Sequence, residues 1–145
     1  MKAEFKLASF EDLDALIKLC DECFDERIDE VKARRMFFKA QHDENQIYLV
    51  GYVNDELVAH TKITIIPTIY EEMGTFAILN HVCVKESYRR HDIALDMLNK
   101  VEQIARNKGC KTLKLWSANF RIPAHKCYLK FGFEKFDASF FQKEL

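Results

Sequence analysis

The sequence is poor in the residues that interrupt regular structure. Its 145 residues include only four Gly, two Pro and one Trp. No stretch approaches the about 18 to 20 consecutive apolar residues that a membrane-spanning helix needs. With 48% hydrophobic residues, this composition excludes a disordered or collagen-like chain and is typical of a folded protein with short connections. A chain of this length fits a single domain, and we expect residues 1–145 to form one.

The amino-terminal segment lacks the unbroken apolar run of a secretory signal, because MKAEFKLASFEDLD carries charges throughout. We therefore predict a cytoplasmic protein without a membrane partner. The five cysteines are an odd number, which favours reduced thiols over a disulfide framework. Cys20 and Cys23 form a CxxC pair, but no second CxxC or paired His supplies further zinc ligands, so no metal site is predicted. Both lie on the apolar stripe of a predicted helix, which favours buried thiols.

The net charge of −1 conceals an uneven distribution of charges. Residues 1–84 carry 9 Lys and Arg against 16 Asp and Glu, whereas residues 85–135 carry 12 against 5. This contrast indicates that one end of the molecule meets an anion and the other a cation, unless both are only solvated surface. The basic half lacks the dense interleaving of cationic and aromatic residues found in polynucleotide grooves, so nucleic acid is not an expected partner.

Periodic apolar residues predict an alternating series of strands and helices. The predicted elements are a strand in KAEFKLA, a helix capped by Ser9, a helix from Asp29 to Ala40, strands in QIYLVGYVN, ELVAHTKITII and FAILNHVCV, a helix from Ile93 to Ala105, a strand in KTLKLWSAN, a helix in PAHKCYLKFG, and an antiparallel pair in FEKF and SFFQKEL. This order predicts an α/β (α+β) fold of three layers, a mixed six- to seven-stranded sheet flanked by about four helices.

The stretch YRRHDIALDML combines a basic turn with the start of a helix. A predicted strand leads directly into this turn, so the free backbone N–H groups of residues 89–94 converge where an anion would lie. Arg89 and Arg90 stand beside them. A strand, a basic turn and a helix in this order predict a phosphate site.

The same stretch resembles the acetyl-CoA-binding motif of the GCN5-related N-acetyltransferase (GNAT) superfamily. That motif is Arg or Gln, two residues, Gly, one residue, then Gly or Ala, and it falls on residues 89–94. The V-x-V that precedes it in the family is matched by Val82 and Val84. The family's late signature, which is Ala, three residues, Tyr, three residues and Gly-Phe, is similar to AHKCYLKFGF here, with Ala124, Tyr128, Gly132 and Phe133 at the matching positions. The likeness covers nearly the whole chain and looks closest to enzymes that acetylate small amines such as aminoalkylphosphonates and aminoglycosides.

This resemblance implies an acetyl-CoA-dependent N-acetyltransferase that passes an acetyl group directly to a primary amine of a small molecule in a ternary complex. The alternatives are acetylation of a protein amino terminus or lysine, and a non-catalytic acyl-CoA-binding module. The cofactor-binding residues that it implies are Val82, Cys83, Val84, Arg89, Arg90, His91, Asp92, Ile93, Ala94, Asn119 and Lys126.

Asp92 departs from the family pattern, which has glycine at this position. Glycine lets the backbone approach a diphosphate without an intervening side chain. Aspartate adds bulk and a negative charge near another anion, at a cost on the order of a kcal/mol. Its side chain could rotate outward to solvent, and Asp is favoured in the first turn of a helix. We therefore expect cofactor binding to be weakened but retained.

The implied chemistry needs a base for the acceptor ammonium and an acid for the departing sulfur. Tyr128 occupies the family's general-acid position. The family often places a glutamate base on the strand before V-x-V, but this chain has Asn80 and His81 there. His81 is the candidate base, and Asn80 could hold a water. The alternative is that His81 is a hydrogen-bonded structural residue.

Two further features concern the acceptor and a second subunit. An acidic run from Asp21 to Glu30 lies where the family's first two helices form a lip over the acceptor groove. It could attract a cationic substrate or be a solvated helix face. The aromatic carboxyl-terminal strand could pair with a second copy to give a homodimer.

Overall fold

The computed structural model describes residues 1–145. Its elements are β1 (Glu4–Leu7), α1 (Leu13–Phe24), α2 (Glu30–Gln41), β2 (Gln46–Val53), β3 (Glu56–Ile66), β4 (Phe76–Val84), α3 (Ile93–Asn107), β5 (Thr112–Lys114) and α4 (Ile122–Phe131). Two short 3-10 helices, Phe10–Asp12 and Glu86–Tyr88, precede α1 and α3. The predicted positions of β3 and β4 are confirmed to the residue.

The strands form one mixed sheet in the order β1-β2-β3-β4-β5. Neighbours are antiparallel except β4 and β5, which run parallel. The parallel pairing joins only three residues of each strand and ends at Ile78 opposite Lys114. Beyond Ile78 the edge of β4 has no neighbouring strand, so its peptide groups face a gap.

The sheet has five strands, and the prediction of six to seven was wrong. Residues 133–145, which contain FEKF and SFFQKEL, form no strand. Phe136 and Phe141 are 78% and 89% exposed. Aromatic residues favour a strand only where neighbouring side chains cover them, and here they meet solvent. Within this segment Phe140 stacks on Trp116, with ring centroids 5.4 Å apart.

The helices cover both faces of the sheet, which confirms the predicted three layers. On one face Met97 and Leu98 of α3 pack on sheet residues that include Leu49. On the other face the helices α1 and α2 pack on Val50, with Leu16 of α1 in the same cluster. Leu49 and Val50 are adjacent because successive strand residues point to opposite faces. None of the helices combines the length and apolarity that crossing a bilayer demands.

One buried ionisable residue lies at the centre of the sheet. His60 of β3 is 2% exposed and pairs with Cys83 of β4. Its Nδ1 lies 2.8 Å from the carbonyl oxygen of Leu49. Burial lowers the pKa of His60 to about 4 and outweighs this hydrogen bond. The ring is therefore neutral at physiological pH.

Candidate active site

A cavity of about 890 Å³ opens along the unpaired edge of β4. The end of β4 forms one wall, the turn into α3 forms its floor, and α4 forms the opposite wall. Its charged lining is mostly cationic, which fits an anionic ligand. The cationic residues are Arg89, Arg90, Arg121, Lys126 and Lys130, and the anionic ones are Glu86 and Asp92.

The turn at the start of α3 presents free backbone amides to this cavity. Arg90 and Asp92 have left-handed backbone conformations, with φ of 68° and 61°. The Asp96 amide donates to the Asp92 carbonyl at 3.0 Å and starts the intrahelical series. The amides of residues 93–95 therefore have no intrahelical acceptor and are available to a phosphate. We call residues 90–95 the cradle.

Arg89 contributes to the cradle differently from the prediction. Its amide donates to the Glu86 carbonyl at 3.1 Å, so it is not a free donor. The predicted set of free amides at residues 89–94 was wrong at this position. The Nε of Arg89 donates to the Val84 carbonyl at 2.9 Å, which fixes the guanidinium beside the turn. Arg89 therefore offers charge, and the amides begin at Arg90.

The left-handed backbone explains why glycine would suit position 92. Asp is among the few other residues that adopt this conformation readily. The Asp92 side chain is 75% exposed, and its Oδ1 lies 3.9 Å from the Nζ of Lys130. The carboxylate thus points towards solvent and the Lys130 ammonium. This is the outward rotation considered above for this side chain.

A β-bulge in β4 changes the direction in which the His81 side chain points. Thr61 of β3 faces both His81 and Val82, because the pairing shifts between His60 opposite Cys83 and Lys62 opposite Asn80. His81 has φ of 53°, a conformation that costs on the order of 1–3 kcal/mol in a non-glycine residue and is concentrated at functional sites.

The end of α1 contacts this bulge. The Nε2 of His81 lies 3.0 Å from Oε1 of Glu26, and the two side chains form an ion pair when the ring is protonated. The Phe24 ring packs edge-on against the imidazole, with centroids 4.9 Å apart. On the Phe24 ring lies the guanidinium of Arg121, 5.0 Å from its centroid. Residues 24–26 thus bring a carboxylate to a strand position that lacks one in the sequence.

A second cavity, of about 230 Å³, continues from the first. The two share Phe24, Val82, Arg121 and Tyr128 in their linings. Burial raises the pKa of Tyr128, so its phenol is protonated at neutral pH. A proton donor therefore stands where the two cavities meet.

Most predicted site residues lie on these cavities. Those that line the larger one are Val82, Cys83, Val84, Arg89, Arg90, Asp92, Ile93, Ala94 and Lys126. Asn80 and His81 line the smaller one, and Tyr128 lines both. His91 and Asn119 are exposed and line neither cavity.

Sequence reasoning did not single out Phe24 or Glu26 as site residues. Glu26 belongs to the acidic run that was noted as a possible lip over the acceptor groove. Its contact with His81 spans 55 residues of sequence. No local pattern connects two residues at that separation, so only the fold shows that they meet.

Comparison with known proteins gives a family and several similar structures. The protein-family model described as the acetyltransferase (GNAT) family matches residues 13–133 of this chain. A transcriptional regulator from Bacillus halodurans is 19% identical, with 99% of this chain and 100% of that chain covered and a TM-score of 0.90. An aminoglycoside antibiotic 6'-N-acetyltransferase from Acinetobacter haemolyticus is 17% identical, with 98% and 99% covered and a TM-score of 0.81. A third structure, from Clostridium acetobutylicum, is described as a predicted acetyltransferase with acetyl-CoA. It is 19% identical, with 98% and 96% covered and a TM-score of 0.76.

Proposed function

The chain belongs to the acetyltransferase (GNAT) family, and we propose that it transfers an acetyl group from acetyl-CoA to a primary amine of a small molecule. The observation that carries this proposal is the continuity of the two cavities. The anion-binding cradle opens on the larger one, and Tyr128, which lines both, links it to His81 on the smaller one. A donor held in the cradle can therefore present its reactive end between these two side chains.

The residues around the cradle fit the diphosphate of acetyl-CoA. The free amides at 93–95 and the fixed guanidinium of Arg89 supply donors and positive charge. Asp92 does not block them, because its carboxylate points towards solvent and Lys130. When bound, acetyl-CoA supplies an acetyl thioester whose carbonyl carbon is the electrophile. Backbone N–H groups along the unpaired edge of β4 would polarise that carbonyl.

His81 is the proposed base for the acceptor ammonium. An alkyl ammonium has a pKa of about 10.4 and must lose a proton before its nitrogen can attack. Glu26 holds the imidazole through Nε2, which leaves Nδ1 to receive that proton. Phe24 restricts the ring further by packing against it. The ion pair also stabilises the imidazolium that forms.

Tyr128 is the proposed acid for the departing sulfur. Its phenol stays protonated because burial raises its pKa, so the proton is present when the carbon–sulfur bond breaks. His81 and Tyr128 both line the smaller cavity. Proton removal and proton delivery can therefore occur on either side of one reacting centre, without a covalent acyl-enzyme.

The size of the smaller cavity supports a small-molecule acceptor. About 230 Å³ is enough for an amine and a few carbon atoms. Trp116 and Phe24 give the cavity apolar walls, and Arg121 is its cationic residue. Glu26 lies beside it through His81 and supplies the negative charge that would attract an ammonium.

Turnover with a panel of amines tests the proposal. Purified protein is incubated with acetyl-CoA and each amine in turn, and the release of free thiol is followed, with an amine-free control for hydrolysis. We expect thiol release that depends on the amine and forms one acetamide per thiol. Tight acetyl-CoA binding without turnover on any amine would contradict the proposal and favour a binding module.

A further inference from the structure

Three of the five cysteines converge behind the cradle, and the reaction proposed above uses none of them. Cys20 of α1 and Cys83 of β4 belong to one buried cluster, and Cys23 of α1 packs against it. The Sγ of Cys23 also donates to the Val84 carbonyl at 3.8 Å. The same carbonyl accepts the Nε of Arg89 at 2.9 Å. A thiol and a guanidinium therefore share one acceptor at the wall of the larger cavity.

Cys23 differs in ionisation from the other thiols that line this cavity. The hydrogen bond from Cys83 and the charge of Arg89 lower the pKa of Cys23 to about 7, although burial and Glu22 oppose this. Burial raises the pKa of Cys127. Hydrogen bonding to Cys20 and Cys23, together with burial, raises the pKa of Cys83 as well. Cys23 is partly exposed on the cavity and lies beside the Arg89 guanidinium, which shares the Val84 carbonyl with it. Since the thiolate is the reactive form and a neighbouring cation stabilises it, Cys23 is the nucleophilic thiol of the cavity.

We propose that Cys23 is a modification site that exchanges with anionic disulfides entering the cavity, and that the mixed disulfide blocks the cradle. The modification itself requires no acetyl transfer. Only its effect on acetyl-CoA binding rests on the function proposed above.

The exchange balances without a further oxidant. The Cys23 thiolate attacks one sulfur of the disulfide, a new sulfur–sulfur bond forms, and the other half leaves as a thiolate. Attack by a small thiol reverses the step and restores Cys23. The neighbours Cys20 and Cys83 are buried and do not enter the exchange.

The charge of the cavity selects the disulfide. Five cationic side chains and two anionic ones line it, so an anionic disulfide is concentrated there and a cationic one is repelled. The attached group then occupies the space beside Arg89 and stands in the way of a diphosphate. Oxidised conditions would therefore lower acetyl-CoA binding, and a thiol would restore it.

The difference in pKa between the cavity thiols sets a minimum difference between their rates of disulfide exchange. At pH 7 about half of a thiol of pKa 7 is thiolate, against about 1% of a thiol of pKa 9. The thiolate of lower pKa is also the weaker nucleophile. The net advantage in rate is therefore about fivefold. Cys23 should therefore react with a disulfide at least about fivefold faster than Cys127.

The test uses the dianion 5,5'-dithiobis(2-nitrobenzoate) at less than one equivalent, with the modified residue identified by mass spectrometry of non-reduced peptides. Cationic cystamine is the matched probe. We expect Cys23 to carry most of the label, the dianion to react faster than cystamine at low salt, and saturating acetyl-CoA to slow labelling about tenfold. Cys127→Ser should label like the wild type, and Cys23→Ser should lose the fast phase.

The wild-type peptide map decides the result even if Cys23→Ser folds poorly. Preferential labelling of Cys127 or Cys110, or equal rates with the two probes, would overturn the inference. Labelling of Cys23 that is unaffected by acetyl-CoA would overturn its second part, the blocked cradle. Absence of turnover on amines would instead count against the transferase and leave the labelling result intact.

Discussion

The two ends of the site are assembled in different ways. The cradle end comes from one continuous segment, residues 82–95, in which a strand, a turn and a helix follow each other. The acceptor end draws on separate segments, with Phe24 from the end of α1, Glu26 from the connection that follows α1, His81 from β4 and Tyr128 from α4. In the proposed function, the first would recognise its ligand mainly through backbone amides, and the second through side chains.

This difference implies different sensitivities to substitution. Backbone amides remain in place when a side chain changes, so we expect the cradle to tolerate Asp92 where the family pattern has glycine. The acceptor end depends on the identity of each side chain. We therefore expect substitutions at the acceptor end to change turnover strongly, and substitutions in the cradle to change affinity modestly.

The largest expected effect is on the free energy of unfolding, and it tests whether the two ends of the site unfold together. The pKa of His60 is about 4 in the folded protein and about 6.5 when unfolded. The unfolded state therefore binds more protons between these values, and stability is full above pH 6.5 and falls as the pH drops to 4. The expected loss of unfolding free energy is about 3 kcal/mol.

Urea unfolding at pH 7.5 and pH 4 measures this loss, with circular dichroism for the whole fold and Trp116 fluorescence for the acceptor end. Both signals should change in one transition. His60→Gln should remove most of the difference between the two pH values. Separate transitions for the two signals would show that the ends rest on independent units.

Tyr128→Phe gives the next largest effect. Loss of the phenolic proton should lower kcat about a hundredfold, which is within the usual range for a general acid. Acetyl-CoA affinity should stay within about twofold, because the phenyl ring keeps its packing. Steady-state kinetics with calorimetry separates the two quantities. An unchanged kcat would remove Tyr128 from the reaction.

The ion pair of His81 and Glu26 should matter next. His81→Ala should flatten the acidic limb of the pH–rate profile, because the proposed base is gone. Glu26→Gln keeps the hydrogen bond but not the charge, and should lower kcat about tenfold. Asp25→Asn, a neighbouring exposed carboxylate, is the matched control and should leave kcat unchanged. An unaltered acidic limb in His81→Ala would leave His81 as a structural residue.

Asp92→Gly is expected to have the smallest effect, and the opposite sign. Removal of a carboxylate near the diphosphate is worth about 1 kcal/mol, or about fivefold tighter acetyl-CoA binding. Asp92→Asn separates charge from backbone freedom. Asp96→Asn, outside the cavity lining, should change little. Weaker binding in Asp92→Gly, measured by calorimetry, would contradict this view of the cradle.

The contrast between the two ends also explains what the sequence could predict. The cradle is local, so the basic turn, the helix start and the valines of β4 were sufficient to predict it. The Glu26–His81 contact depends on how α1 packs across the sheet, and the left-handed conformation of His81 depends on the register shift between β3 and β4. Neither leaves a local pattern in the sequence.

The predicted carboxyl-terminal strands show the reverse failure. The segment SFFQKEL has strong strand propensity, yet β5 pairs over only three residues and leaves no covered position for it. The segment has residues that favour a strand, but it has no neighbouring strand with which to pair. A homodimer formed through this segment stays a prediction.

A crystal structure of the protein grown with acetyl-CoA would show where the diphosphate binds. We expect it bonded to the amides at 93–95, with Arg89 beside it and the thioester between His81 and Tyr128. A diphosphate bound elsewhere, with the cradle empty or filled by the Asp92 carboxylate, would contradict this expectation.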